Sequence, residues 1–224
     1  MKERKLEIAC FNYESALIAQ QGGADRIELC DSISEGGTTP DVKTVELARK
    51  NCSVDLFIMI RPRGGNFIYD DKEFEQMKND ISEFKKKGIN GFVFGILKED
   101  GSIDKKRNAE LVSTANPFSC TFHRAFDKTK DVFQALEDVI ACGFQTILTS
   151  GHKDAAVEGV ETLAQLIDRT ANRIVIMPGG GVRSSNISIL TEKLNPPYYH
   201  SSGITDKSNI ADLKEIKMLK EKIG

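Results

Sequence analysis

The chain of 224 residues is 40% hydrophobic and 29% charged with a formal net charge of −2, an ordinary globular composition that allows one sizeable core and is short for two. The near-neutral balance excludes the electrostatic footprint of a nucleic-acid or anionic-membrane binder, and no apolar run approaches bilayer length. Five cysteines without a Cys-x-x-Cys pair read as small buried hydrophobes in a reducing compartment rather than as disulfides or metal ligands.

The opening Met1-Lys2-Glu3-Arg4-Lys5 leads into a strand without a signal-peptide core, so the expected location is cytoplasmic. Leu6–Cys10 is strand-like, and Tyr13–Gln21 is helical and stopped by Gly22-Gly23. Arg26–Cys30 is a second strand, followed by a Gly/Ser/Thr-rich loop over Asp31–Thr39. Pro40-Asp41 opens a helix to about Lys50, Pro suiting its first turn. Asp55–Ile60 is a strand closed by Arg61-Pro62-Arg63-Gly64-Gly65. The next helix, Asp71–Lys87, aligns Phe74, Met77, Ile81 and Phe84 on one stripe and stops at Gly88; its terminal lysines read as a solvated end.

Phe92–Leu97 is a strand, and Asp104–Thr114 a helix with Asp104 as N-cap. The apolar run from Ser119 ends in His123, Arg124 and Asp127, and a helix follows over Asp131–Ala141. Gln145–Thr149, Arg173–Met177 and Tyr198–His200 complete the strands. Helices over Ala155–Asp168, Ser185–Leu194 and Ile210–Ile223 alternate with them. Eight strand–helix units with short connections and no linker predict one domain over residues 1–224, an α/β TIM barrel, (β/α)8, with parallel strands and outer helices. The rival is an open doubly wound sheet, weakened because no G-x-G-x-x-G follows the first strand.

In such a barrel, chemistry gathers at the C-terminal mouth. Side chains two apart share a strand face, so Thr121 and His123 point inward together, as do Phe57, Met59 and Arg61. The same alternation pairs Glu28 with Cys30 and Glu7 with Ala9, turns Cys10 outward, and puts His200 with Ser202. Burying ionised groups between helices and sheet is costly, which favours an inward position for Glu7, Glu28, Arg61, His123 and His200, with Asp127 nearby. These suit acid–base work on a small anion, Arg61 as clamp and His123 as proton carrier. Two alternatives stand: a structural salt-bridge layer of Glu7, Glu28 and Arg61, or a divalent metal on His123, His200 and a carboxylate. After strand seven, Gly179, Gly180 and Gly181 can bring backbone N–H groups to an anion, with Ser201-Ser202-Gly203 beside them, or can form a plain tight turn. The expected ligand is a small phosphorylated or carboxylated molecule.

Gly23-Ala24-Asp25-Arg26-Ile27-Glu28-Leu29-Cys30, Met59–Gly65, Thr121–Asp127, Leu148–Gly151 and Pro178–Val182 together resemble the CutC copper homeostasis family across nearly the whole chain. The resemblance implies a TIM barrel, a cytoplasmic location, copper handling, and homo-oligomers, dimers or larger. It also implies a copper ion on cysteines, here Cys30 and Cys52. Cu(I) favours thiolates, although Cys52 falls near a helix end, away from the expected mouth. Glu28, Arg61, His123, Arg124 and Asp127, which the motifs share, look like an enzyme's site.

Overall fold

The computed structural model describes residues 4–224; Met1, Lys2 and Glu3, part of the stretch read above as lacking a signal-peptide core, lie outside the described residues. The alternation is carried by β1 (Lys5–Cys10), α1 (Tyr13–Gln21), β2 (Arg26–Leu29), α2 (Val42–Asn51), β3 (Asp55–Met59) and α3 (Asp71–Phe84). It continues through β4 (Gly91–Phe94), α4 (Lys105–Ala115), β5 (Ser119–Phe122), α5 (Val132–Ala141) and β6 (Thr146–Thr149). The last units are α6 (Val160–Thr170), β7 (Val175–Pro178), α7 (Ile187–Lys193), β8 (Tyr198–Ser201) and α8 (Leu213–Ile223). The strands are all parallel, in the order β7-β6-β5-β4-β3-β2-β1-β8. This is the (β/α)8 barrel expected from the sequence. Among the described residues no hydrogen-bonded ladder joins β7 to β8. Gly179 brings the two strands close there, since a Cβ on it would lie 3.1 Å from His200 Cβ.

Local chemistry starts the helices where the sequence asks for it. Asn12, Asp41, Asp104, Asp131 and Asp212 each accept backbone N–H bonds as N-caps, and Asp70 forms a reciprocal capping box with Glu73. Pro40 therefore stands one residue before the cap of α2, not in its first turn. The helix after β6 begins at Val160 rather than Ala155. Gly159 first passes against the Ser150 carbonyl, where any Cβ would overlap it, and only then can the chain turn helical. β4 ends at Phe94 instead of Leu97. At the next position, Gly95, a Cβ would sit 2.9 Å from His123 Nδ1, so the missing side chain makes room for that imidazole.

Outward residues such as Leu6, Ile8, Cys10, Ile27, Leu29, Ile58, Phe92, Cys120 and Phe122 join the helices in one large apolar layer. Inside the barrel, Cys30, Phe57, Met59 and Val93 form a smaller cluster with Phe11 packed on it. Gly91 leaves space on β4 for the Phe57 ring, which a Cβ would overlap. The inward and outward assignments read from alternation hold on β1, β2, β3 and β5. The small inner cluster fills the barrel beneath the mouth, where its Cys30, Met59 and Phe11 border the cavity beside the polar groups.

Candidate active site at the C-terminal mouth of the barrel

A cavity of about 200 Å³ opens at the strand ends, its walls including Glu28, Cys30, Arg61, His123, His200 and Ser202. Gly180 and Gly181 also border it, as do Arg124 and Arg183. Glu7 lies beneath the floor, Asp127 behind Arg124, and Gly179 under the rim against Leu148 and His200.

The floor follows from register. β1 pairs Glu7 with Arg26 of β2 on one side and with His200 of β8 on the other, which lays three ionisable side chains in a row. Arg26 Nε donates to Glu7 Oε2, and its guanidinium is stacked between Phe57 and Tyr198 at 4.3 and 4.2 Å. Glu7 Oε1 lies 2.6 Å from His200 Nδ1, and His200 Nε2 lies 3.9 Å from Glu28 Oε2. Burial alone would raise the Glu7 pKa, but Arg26 and His200 outweigh it and the carboxyl is lowered. Burial likewise works against charge on His200, yet the Glu7 hydrogen bond and the Glu28 charge raise its pKa. Glu28 is pushed up to about 7, by burial first, with Glu7 adding to the effect and His200 opposing it. The row thus keeps an ionised Glu7 and leaves Glu28 titrating near neutrality. Arg26 was not singled out in the sequence, although its spacing of two from Glu28 puts it on the same inward face.

His123 caps the short 3-10 turn Arg124–Lys128, its Nδ1 accepting from the Ala125 N–H at 3.3 Å. That bond assigns the ring proton to Nε2, which is buried and has no protein partner. Burial, with the nearby Arg61 charge, lowers the His123 pKa to about 3, so the ring is a neutral N–H donor. Arg61 Nη1 donates to the carbonyls of Glu35 and Gly37 at 2.6 and 2.8 Å, and Nη2 to that of Gly65 at 3.1 Å. Its guanidinium stacks on Phe67 at 4.8 Å, and its buried Nε has no partner. Glu28 Oε1 is the third buried atom of this wall without one.

Asp127 accepts from Arg124 Nε at 2.8 Å, from the Ser150 N–H at 3.1 Å, from the Ser150 hydroxyl at 3.0 Å and from Thr149 Oγ1. It braces the loops after β5 and β6 rather than facing the cavity. Arg183 donates to the hydroxyls of Ser201 and Ser202, both at 3.2 Å. Five residues past its strand, in an aperiodic loop, it carried no sequence signal. Cys30 lines the cavity and donates to Glu28 Oε2 at 3.7 Å. Burial, then the Glu28 charge, raises its thiol pKa well above the ordinary value. Cys52, at the C-cap of α2, packs in the outer layer with Cys10 and stands apart from the cavity. Cys30 and Cys52 are therefore not brought together.

Comparison with known proteins covers most of the chain. The copper homeostasis protein cutC homolog of Homo sapiens is 44% identical over 197 residues, spanning 88% of this chain and 72% of that one. Its Mus musculus counterpart is 43% identical over 204 residues, 91% of this chain and 75% of that one. The crystal structure of a CutC copper homeostasis protein from Streptococcus agalactiae superposes with a TM-score of 0.85 at 30% identity, covering 90% of this chain and all (100%) of that one. Phosphoribosylanthranilate isomerase from Thermotoga maritima, 16% identical, superposes at 0.64 over 98% of each chain and shares the barrel alone. The CutC family model matches residues 4–205, and with these relatives it makes the chain a member of the CutC family.

Proposed function

We propose that the mouth of this CutC-family barrel binds a small anionic molecule and moves a proton on it. The observation that carries this reading is the set of three buried atoms without protein partners, Arg61 Nε, His123 Nε2 and Glu28 Oε1, on residues that border one cavity. Unpaired buried polar atoms are costly in a folded protein, and all three belong to side chains that line the cavity a ligand would fill. Two are donors and one is a titrating carboxylate. Arg61 and His123 suit an oxygen on which charge develops. Glu28 suits removal of a proton from the neighbouring carbon: its carboxylate takes the proton, the C–H electron pair moves toward that oxygen, and Glu28 returns the proton to the product. His123 then acts as a neutral donor, and Glu28 takes the proton-carrying part that the sequence reading gave to His123. The five free, buried cysteines agree with a reducing cytoplasm.

The test is solvent-deuterium incorporation into a pool of small hydroxy and keto acids, followed by mass spectrometry. Incorporation that falls by about a hundredfold or more in Glu28→Gln is expected. A pool left unlabelled by the unaltered protein sinks the reading.

A second reading concerns the copper in the relatives' names. Cys30 and Met59 are packed together and both border the cavity, and thiol and thioether are soft ligands suited to Cu(I) as cargo. Cys52 lies too far off to share it. Competition against bicinchoninate should show Cu(I) affinity reduced in Cys30→Ser and unchanged in Cys52→Ser; equal affinity in all three proteins removes Cys30 from the reading.

A further inference from the structure

We infer that the ligand of this cavity carries an anionic group at each end, a carboxylate at Arg61 and a phosphate at Arg183, so that it spans the barrel mouth. The inference rests on the anion-binding reading above and adds the class of molecule.

The first ground is topology. Arg61 follows β3 and Arg183 follows β7, and those strands stand four apart in a ring of eight. The two guanidinium groups therefore reach the cavity from opposite walls.

The second ground is charge. Of the three arginines that border the cavity, Arg124 is paired with Asp127 at 2.8 Å. Among the described residues, neither Arg61 nor Arg183 has a carboxylate within 4.0 Å; both donate to carbonyls or hydroxyls. Glu28 is the one carboxylate on the cavity wall, and it faces His200. Two opposed positive charges thus remain for the ligand to neutralise, which one anionic group cannot do from one side.

The third ground is the difference between the ends. The Arg61 end offers two buried N–H donors without protein partners, Arg61 Nε and His123 Nε2, on residues that line the cavity, which suits the two oxygens of a carboxylate. The Arg183 end is built for a rounder anion. Gly180 and Gly181 have φ of +107° and +67°, conformations that turn backbone N–H groups toward a concavity, and the Ser202 hydroxyl stands beside them, while that of Ser201 donates to the Val182 carbonyl. The loop is also held rigidly: the Ser184 N–H and hydroxyl both donate to Glu215 of α8 at 2.7 Å, and the Arg183 N–H to Asn186 Oδ1 at 2.9 Å. A preorganised arginine costs less to order when an anion arrives.

Isothermal titration of the full chain with glycolate, inorganic phosphate, phosphoglycolate, phosphoglycerate and phosphogluconate tests this, since the last three set carboxylate and phosphate at increasing separation. At least one two-ended acid is expected to bind about tenfold or more tighter than either glycolate or phosphate. Arg183→Gln should reduce its affinity to that of glycolate and leave glycolate binding unchanged. Arg183→Lys, which keeps the charge and loses the fork, should fall between. If no two-ended acid exceeds the single anions, or if Arg183→Gln binds as the unaltered protein does, the two-ended ligand is wrong. Glycolate heat abolished by Arg61→Gln would in that case still uphold the anion site. No heat from any probe removes both.

Discussion

His200 Nδ1 lies 2.6 Å from Glu7 Oε1, and Arg26 donates to the other oxygen of the same fully buried carboxylate. One carboxylate thus joins a cation of β2 to an imidazole of β8 through the floor of the barrel.

Removing one partner of a buried ion pair strands the other charge. Arg26→Met should destabilise the protein by about 3–5 kcal/mol in urea unfolding. The double variant Arg26→Met with Glu7→Gln should recover most of that loss. The Glu7 charge is then gone, and His200, without the hydrogen bond to that carboxylate that helps raise its pKa, can stay buried as the neutral imidazole. Equal losses in the single and double variants would show that Arg26 contributes through its stacking on Phe57 and Tyr198 and not through its charge.

Glu28 links the site to pH. Its pKa rises from the ordinary 4.5 to about 7 in the folded chain, so between those values the folded state binds the proton that the unfolded state has released. Stability from this group therefore falls as pH rises through that window. Glu28→Gln removes the effect, and relative to it the unaltered protein should lose up to about 3 kcal/mol across the window. Thermal unfolding of the two proteins at matched pH checks this, and parallel curves would mean that Glu28 titrates normally.

For His123 the prediction is a fixed tautomer. With its pKa lowered to about 3 and Nδ1 accepting from Ala125, the ring should show a protonated Nε2 and a bare Nδ1 throughout the neutral range. Nitrogen-15 NMR of labelled protein reads this directly. A midpoint near 6.5, the ordinary value for histidine, would return His123 to the role of proton carrier.

Asp127 and Arg124 should separate in stability measurements. Asp127 is 4% exposed and accepts several bonds, whereas the Arg124 side chain is 40% exposed. Asp127→Asn is expected to cost about 3 kcal/mol and Arg124→Gln under about 1 kcal/mol. The reverse order would place the brace in the arginine.

What was legible in the sequence followed periodicity. Alternation by two placed Glu28 with Cys30, and Thr121 with His123, on the inner wall, because a parallel strand leaves a side chain no third direction. The same rule applied one step toward the N-terminus would have found Arg26. Arg183 and the late start of α6 follow no period. The first depends on how the loop after β7 is pinned to Glu215, and the second on the passage of Gly159 past Ser150. The role of His123 also lay beyond pattern, since it turns on one bond from the Ala125 N–H that only coordinates reveal.

The missing ladder between β7 and β8 bears on how the mouth behaves. Those two strands lead into Gly180, Gly181 and Arg183 on one side and Ser201 and Ser202 on the other, so the end of the cavity proposed to take a phosphate straddles a seam that, among the described residues, no backbone ladder closes. An unladdered joint can breathe at lower cost than its neighbours. A molecule seated across it would act as a clasp, coupling occupancy of the pocket to the rigidity of the whole ring.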